Sequence, residues 1–232
     1  MCRMIGIRNY SRREHEGLLE KFSLLAEEGK VPEGSAPGHN DGWGIGYYRR
    51  GRAVLHKTAS SILRDKEDFR RLSRDADGSP VVIVHLRKSA WPHTSTSENA
   101  HPFLHDNFMF AHNGTISDYK SLLPFLKVKP SGIGRALDTE VYFHFIMSHL
   151  HLGIKAALRH SAGHICRENA FTSLNCLLAG EKGLLAYRQY SGNPAYYSLY
   201  HARAGASDIV CSEPVAESLC WKMLRKGSLL VL

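Results

Sequence analysis

The second residue of the chain is a cysteine, and removing Met1 would leave a thiol and a free α-amine on the same residue. The amine has a reference pKa of about 7.7–8.0 and the thiol about 8.5, so near neutral pH the uncharged amine can take the thiol proton, directly or through a water. Nucleophile and general base would then be one residue. Taken alone, a cysteine near a terminus is as well explained by packing. Further along, His85-Leu86-Arg87 sits where an apolar run meets a polar stretch. An arginine there either snorkels from a sheet edge or clamps a carboxylate with two parallel hydrogen bonds. Asn113-Gly114 reads as a hairpin turn, or as an oxyanion hole made of the Asn amide and the Gly backbone N–H. Asp138 precedes an apolar helical pattern, either as its N-cap or as the receptor for the ammonium of an amino-acid substrate. In His39-Asn40-Asp41-Gly42-Trp43-Gly44-Ile45-Gly46 the glycines admit either a closely packed backbone or an approaching substrate or nucleophile strand. No Gly-Lys-Ser/Thr follows, so this is not a phosphate loop.

Other chemistries fit less well. The five cysteines (Cys2, Cys166, Cys176, Cys211, Cys220) are odd in number and form no C-x-x-C, which argues against a disulfide framework or structural zinc and suits a reducing cytosol. Cys166, Cys176 or Cys211 paired with one of the 14 histidines leaves a Cys–His amidase open as an alternative. His149-Leu150-His151 lacks the spacing of a zinc motif, so neither metal nor cofactor is expected. The net charge of +8 is spread along the chain, with short clusters only at Arg49-Arg50-Gly51-Arg52 and Arg70-Arg71. Without a finger or RNP pattern this reads as a basic surface that attracts anionic substrates, and no nucleic-acid partner is expected. No apolar run reaches the roughly 20 residues of a membrane helix; residues 141–154 contain three histidines. The N-terminus lacks a secretory h-region, and a cytoplasmic location is expected.

These groups must be held by a fold. Residues 2–7 read as a buried strand, 18–26 as an amphipathic helix, and 29–38, with two prolines and three glycines, as a loop. Residues 43–48 and 53–56 flank a Gly/Arg turn and form a hairpin pattern. A polar helix is expected over 61–74, strands over 80–85 and 108–112, and helices over 118–126, 139–150 and 154–166. Strands follow at 172–179, 183–189, 195–201, 208–211 and 229–232. This order of strands, then helices, then strands favours an α+β fold of two mainly antiparallel sheets with helices outside, as one domain over residues 1–232.

The order of the motifs is more specific than any one of them. Met1-Cys2, His39-Asn40-Asp41-Gly42-Trp43-Gly44, His85-Leu86-Arg87, Asn99-Ala100-His101-Pro102-Phe103, His112-Asn113-Gly114 and Asp138-Thr139-Glu140, with Val210-Cys211-Ser212-Glu213-Pro214 near the end, together resemble the class II glutamine amidotransferases. The wording is most similar to the branch that includes the YafJ-like and EgtC-like proteins. The resemblance implies the four-layer αββα fold of N-terminal nucleophile hydrolases. It implies that Cys2 attacks the side-chain amide of glutamine, or of another γ-glutamyl small molecule, to give a γ-glutamyl thioester. By the same resemblance Arg87 holds the α-carboxylate, Asp138 the α-ammonium, Asn113 and Gly114 form the oxyanion hole, and His101 belongs to the substrate site. In the sugar-amidating members the clamp arginine is followed by Trp-Ala-Thr-His, whereas Arg87 is followed by Lys88, Ser89 and Ala90. A chain ending at Leu232 leaves no room for a synthase domain, so the expected enzyme either delivers ammonia to a separate synthase subunit or cleaves a γ-glutamyl compound outright. A γ-glutamyl conjugate hydrolase and an inactive binding module with the same fold are the alternatives.

Overall fold

A strand with apolar residues on both faces needs a partner layer on each side, and β1 (Arg3–Arg8) has both. Ile5 and Ile7 pack into a core beneath helices, whereas Met4 enters a second core between two sheets. A Cβ at Gly6 would meet Leu184 at 2.9 Å and Leu177 at 3.1 Å, so the side chains of the second sheet pack directly onto the backbone of this strand. The computed structural model describes residues 2–129 and 135–232.

The first sheet has the order β11 (Lys222–Met223), β9 (Tyr200–Ala204), β10 (Ser207–Cys211), β1, β4 (Val81–Leu86), β2 (Trp43–Arg49), β3 (Arg52–Thr58). The second runs β12 (Ser228–Val231), β8 (Gly183–Arg188), β7 (Asn175–Gly180), β6 (Phe108–Asn113), β5 (Phe103–His105). Neighbouring strands in both sheets are antiparallel. Helices α1 (Arg12–Glu28) and α2 (Lys66–Asp75) cover the first sheet, with Phe22 and Phe69 in the core beside Val82, Val84 and Leu86. Helices α3 (Asp138–Ser148) and α4 (Ile154–Glu168) cover the second, with Phe143 and Leu158 beside Phe110 and Leu178. The odd and even residues of β4, β6 and β7 divide between the helix-side cores and the sheet–sheet core. The result is the α+β, four-layer αββα arrangement expected from the sequence.

Some local expectations change. Helix α2 starts at Lys66 rather than 61, because Ser61 O accepts the N–H groups of Arg64 and Asp65 in a turn. The segment Tyr119–Phe125 is a 3₁₀ helix with Pro124 inside it, where a proline cannot supply the N–H of an α ladder. The strand expected over 195–201 begins only at Tyr200. Strands β5 and β11, of three and two residues, are too short for alternation to reveal. Asp138 is the first residue of α3, with Leu137 at the cap position and no side-chain cap bond, so the N-cap reading falls. The hairpin reading of Asn113-Gly114 falls too, since Asn113 pairs with Asn175 of β7, which the chain reaches only after α3 and α4.

Candidate active site

Register brings the site together. Arg3 pairs with Leu86 across the β1–β4 ladder, which sets Cys2 beside Arg87. Strand β6 of the facing sheet ends at Asn113 on the same side, and α3 starts there with Asp138. Cys2, Arg87, His101, Gly114 and Asp138 line one cleft, and Asn113 is bonded to Cys2 beside it. Met1 lies outside the described residues.

The Cys2 N–H donates to Asn113 Oδ1 at 3.2 Å, which turns the amide nitrogen of Asn113 away from that contact. Among the described residues Nδ2 is buried without a hydrogen-bond partner. An unsatisfied buried donor costs about 1–3 kcal/mol, and Nδ2 is thus free to donate to an acceptor at this position. The Cys2 thiol sits against the backbone of Lys88, whose N–H donates to Sγ at 3.5 Å while Sγ lies 3.6 Å from its carbonyl oxygen. A Cβ at Gly114 would fall 1.8 Å from Ser173 O, so only glycine allows β6 to pass this close to the chain entering β7.

Arg87 is buried, and its Nη2 donates to Ser89 Oγ at 3.0 Å and Thr94 Oγ1 at 3.1 Å. Its Nη1 is buried and, among the described residues, has no partner. Burial lowers the guanidinium pKa against the raising influence of Cys2, Asp41 and Asp138. The cation is thus only partly compensated and favours an added carboxylate. The two-nitrogen clamp read from the sequence is therefore half engaged by the protein's own loop. Asp138 Oδ1 accepts the Trp91 indole N–H at 3.1 Å, and Oδ2 accepts the Ile116 N–H at 3.0 Å. Two carboxylate oxygens with one bond each retain lone pairs for a further donor. Ser89 was noted in the sequence only as part of the departure after Arg87, and Trp91 and Thr94 were not singled out; Thr and Trp in a loop after a strand carry no spacing signal.

Three buried histidines back the cleft. The His85 and His101 rings are 4.0 Å apart, and the His112 N–H donates to His101 Nδ1 at 3.4 Å. His112 Nε2–H donates to Ser173 O at 2.9 Å, and Nδ1 is then the acceptor of the Thr139 hydroxyl at 3.0 Å. Burial pulls all three below the ordinary histidine pKa, so they are neutral at pH 7. His101 reaches the cleft because Gly44 lets its carbonyl pass where a Cβ would lie only 2.2 Å away. The close-backbone reading of the Gly44 segment holds, and the backbone concerned carries a cleft residue.

The alternative nucleophiles are elsewhere. Cys176 lies in the α3–α4 core and Cys211 in the α1–α2 core, where burial pushes the Cys211 thiol up to about 12 and that of Cys176 further. Among the described residues no group of three or more His, Cys, Asp or Glu is placed to hold a metal ion. Nor is any described helix long and apolar enough to cross a membrane.

Comparison with known proteins adds to this geometry. Residues 2–191 match the model of the class-II glutamine amidotransferases. The chain is 25% identical over 204 residues to an uncharacterized protein of Methanocaldococcus jannaschii, covering 83% of this chain and 52% of that one. It is 30% identical over 128 residues to YafJ of Escherichia coli, covering 53% of this chain and 46% of YafJ. It thus spans about half the length of these relatives. In fold it is similar to the glutamine phosphoribosylpyrophosphate amidotransferase of B. subtilis, with a TM-score of 0.70 at 18% identity over 99% of this chain and 47% of that one.

Proposed function

The chain belongs to the class II glutamine amidotransferases, an enzyme family that handles the side-chain amide of glutamine, and we propose that it hydrolyses a γ-glutamyl amide through a thioester on Cys2. The observation that carries the proposal is the Cys2–Asn113 contact, which ties the nitrogen of Cys2 to Asn113 Oδ1 and leaves the amide Nδ2 without a partner among the described residues.

Once Met1 is removed, the α-amine takes the thiol proton and Sγ attacks the γ-carbonyl carbon. The developing oxyanion accepts Asn113 Nδ2–H and the Gly114 N–H. Collapse breaks the C–N bond, and the leaving ammonia or amine takes the proton back from the Cys2 ammonium. Water then adds to the thioester, giving its proton to the amine, and glutamate leaves as the Cys2 thiol is restored. Arg87 Nη1 binds the α-carboxylate and the Asp138 carboxylate binds the α-ammonium. Neutral His101 forms part of the wall beside them. With Met1 attached, the Cys2 nitrogen is an amide with no basic lone pair, so the unprocessed chain should be silent. Released ammonia would pass to a separate synthase subunit, or would simply be a product.

The test is incubation of the protein alone with glutamine, γ-glutamyl peptides and γ-glutamyl amines, followed by glutamate assay and by intact mass of the active species. Glutamate release by a chain beginning at Cys2 is expected. Turnover at the same rate by a preparation that fully retains Met1 would refute the amine mechanism. Absence of turnover on every compound would favour the inactive binding module.

A further inference from the structure

Two side chains next to the nucleophile are not used in the chemistry above, and both reach the same loop. Arg3 is almost wholly buried: its Nη1 donates to Cys2 O at 3.1 Å, its Nη2 donates to Lys30 O, and its Nε is 2.9 Å from Glu213 Oε2. Glu213 Oε2 also accepts the Lys30 N–H at 3.1 Å, and Tyr196 lies across the guanidinium face at 4.9 Å. Lys88, whose backbone holds the Cys2 thiol, sends its ammonium away from the cleft to Ala36 O at 2.6 Å and Gly38 O at 3.0 Å.

The stretch between these anchors is a closed loop. The His39 ring would stand 2.8 Å from a Cβ at Gly29, and the His39 N–H donates to Ala26 O at 2.7 Å, so the loop's ends meet. Ser35 N–H bonds Pro32 O at 3.0 Å in a turn at the tip, and Gly38 is left-handed at φ +88°. A compact surface loop with joined ends moves as a unit and transmits a pull at either anchor. Its tip, residues 33–37, is exposed.

We propose that loop 30–38 is a brace that positions Cys2 for attack, fastened by Arg3 and Glu213 at Lys30 and by the Lys88 ammonium at Ala36 and Gly38. The inference rests on the reading of Cys2 as nucleophile. It gives a purpose to two sequence features that the reaction leaves idle: Lys88, which departs from the sugar-amidating pattern, and Glu213 after β10. Arg3 and Lys88 are positioning residues. Neither side chain touches the substrate, and each fixes a main-chain group of Cys2 or a main-chain contact to its thiol. A nucleophile displaced by even about 1 Å can lose on the order of 10²-fold in rate, so loosening one anchor shows first in kcat.

Lys88→Met keeps the aliphatic stem and the backbone N–H to Sγ while removing both bonds to the loop. Steady-state kinetics with glutamine should show kcat reduced about tenfold and KM changed less than about twofold. Hydrogen exchange should show lost protection confined to 30–40, and Lys88→Arg should restore most of kcat. Arg3→Lys, which keeps the charge beside Glu213 but cannot reach both carbonyls, should also lower kcat selectively. Wild-type kcat in Lys88→Met, or a loss carried by KM alone, would overturn the brace while leaving the hydrolase reading intact. No turnover by the processed wild-type protein would sink both.

Discussion

Asn113, the last residue of β6, and Arg87, the first residue after β4, lie on facing sheets on the same side of the molecule, yet they are held in opposite ways. Asn113 is wholly buried inside the β6–β7 ladder, and the bond that orients its amide comes from the backbone of Cys2. Arg87 is also buried, but what orients it is the loop that follows, through Ser89 and Thr94. That loop reaches Asp138 through Trp91. The end of the cleft proposed to receive the oxyanion is thus built by strand pairing. The end proposed to receive the amino-acid head is built by the start of α3, by Arg87 just past β4 and by the loop residues that follow it. Ladder hydrogen bonds open only with the core, whereas loops open locally at far lower free energy. Chemistry should therefore depend on the first end and recognition on the second.

Removing the proposed nucleophile tests the ground shared by both ends. Cys2→Ala should abolish glutamate release with little change in thermal midpoint, because alanine fits the space of a buried thiol. Activity near wild type would end the comparison. Asn113→Ala comes next and should lower kcat on the order of 10²–10³-fold with KM nearly unchanged. If kcat were unchanged, the unpartnered Nδ2 would have no part in the reaction. Arg87→Lys should act in the other direction, reducing kcat/KM about tenfold or more, mainly through KM. A lysine carries the charge but cannot bond Ser89, Thr94 and a substrate carboxylate together. An equal fall in kcat without a change in KM would show that the two ends are not separate.

The same division decided what could be read from the sequence. Strands β1, β2, β4 and β6 carry apolar runs that marked them as strands; the two sheets followed from the order of strands and helices, and the four layers from the family resemblance. Cys2, Arg87, Asn113 and Asp138 were legible because their order along the chain is distinctive, although each alone had an ordinary structural explanation. For Asp138 that explanation was wrong, since its carboxylate accepts from Ile116 and Trp91 rather than capping α3. The loop latch, made of the Arg87 bonds to Ser89 and Thr94 and the Trp91 bond to Asp138, and the Arg3–Glu213 pair were invisible for a physical reason. They join residues 2, 7, 47 or about 210 positions apart, through hydroxyl, indole and carboxylate groups that no periodicity marks.

Neutral buried histidines lie behind the cleft (His85, His101, His112) and at the foot of the 30–38 loop (His39), and they should make the fold sensitive to acid. His39 is buried, with Arg3 and Lys88 adding to the effect of desolvation, and its pKa falls from 6.5 to about 3; His85, His101 and His112 are lowered too. A histidine depressed in the folded state stays unprotonated while its unfolded counterpart binds a proton, so stability rises with pH between the folded and unfolded values. Urea unfolding measured from pH 8 downward should therefore show full stability above about pH 7. Stability should then be lost progressively as pH falls below 6.5, with uptake of more than one proton on unfolding. A flat profile between pH 7 and 5 would mean that these rings are hydrated or paired when the protein is in solution.

The smallest expected effect falls on Trp91, and its sign decides how the recognition end is made. The indole N–H donates to Asp138 Oδ1, and the ring meets Tyr119 edge-on with centroids 5.8 Å apart. Trp91→Phe would keep an aromatic ring against Tyr119 and remove only the hydrogen bond. Asp138 would still be anchored by the Ile116 N–H at 3.0 Å, on the fold side. If the loop must be ordered for the amino-acid head to bind, loss of the latch adds an ordering cost on binding. KM for glutamine should then rise about threefold with kcat held, which is about 0.6 kcal/mol and near the low end for one partly exposed hydrogen bond. A fall in KM would mean that the indole competes with the substrate ammonium for Oδ1. In that case Asp138 is presented by α3 and Ile116 alone, and both ends of the cleft are made by the fold.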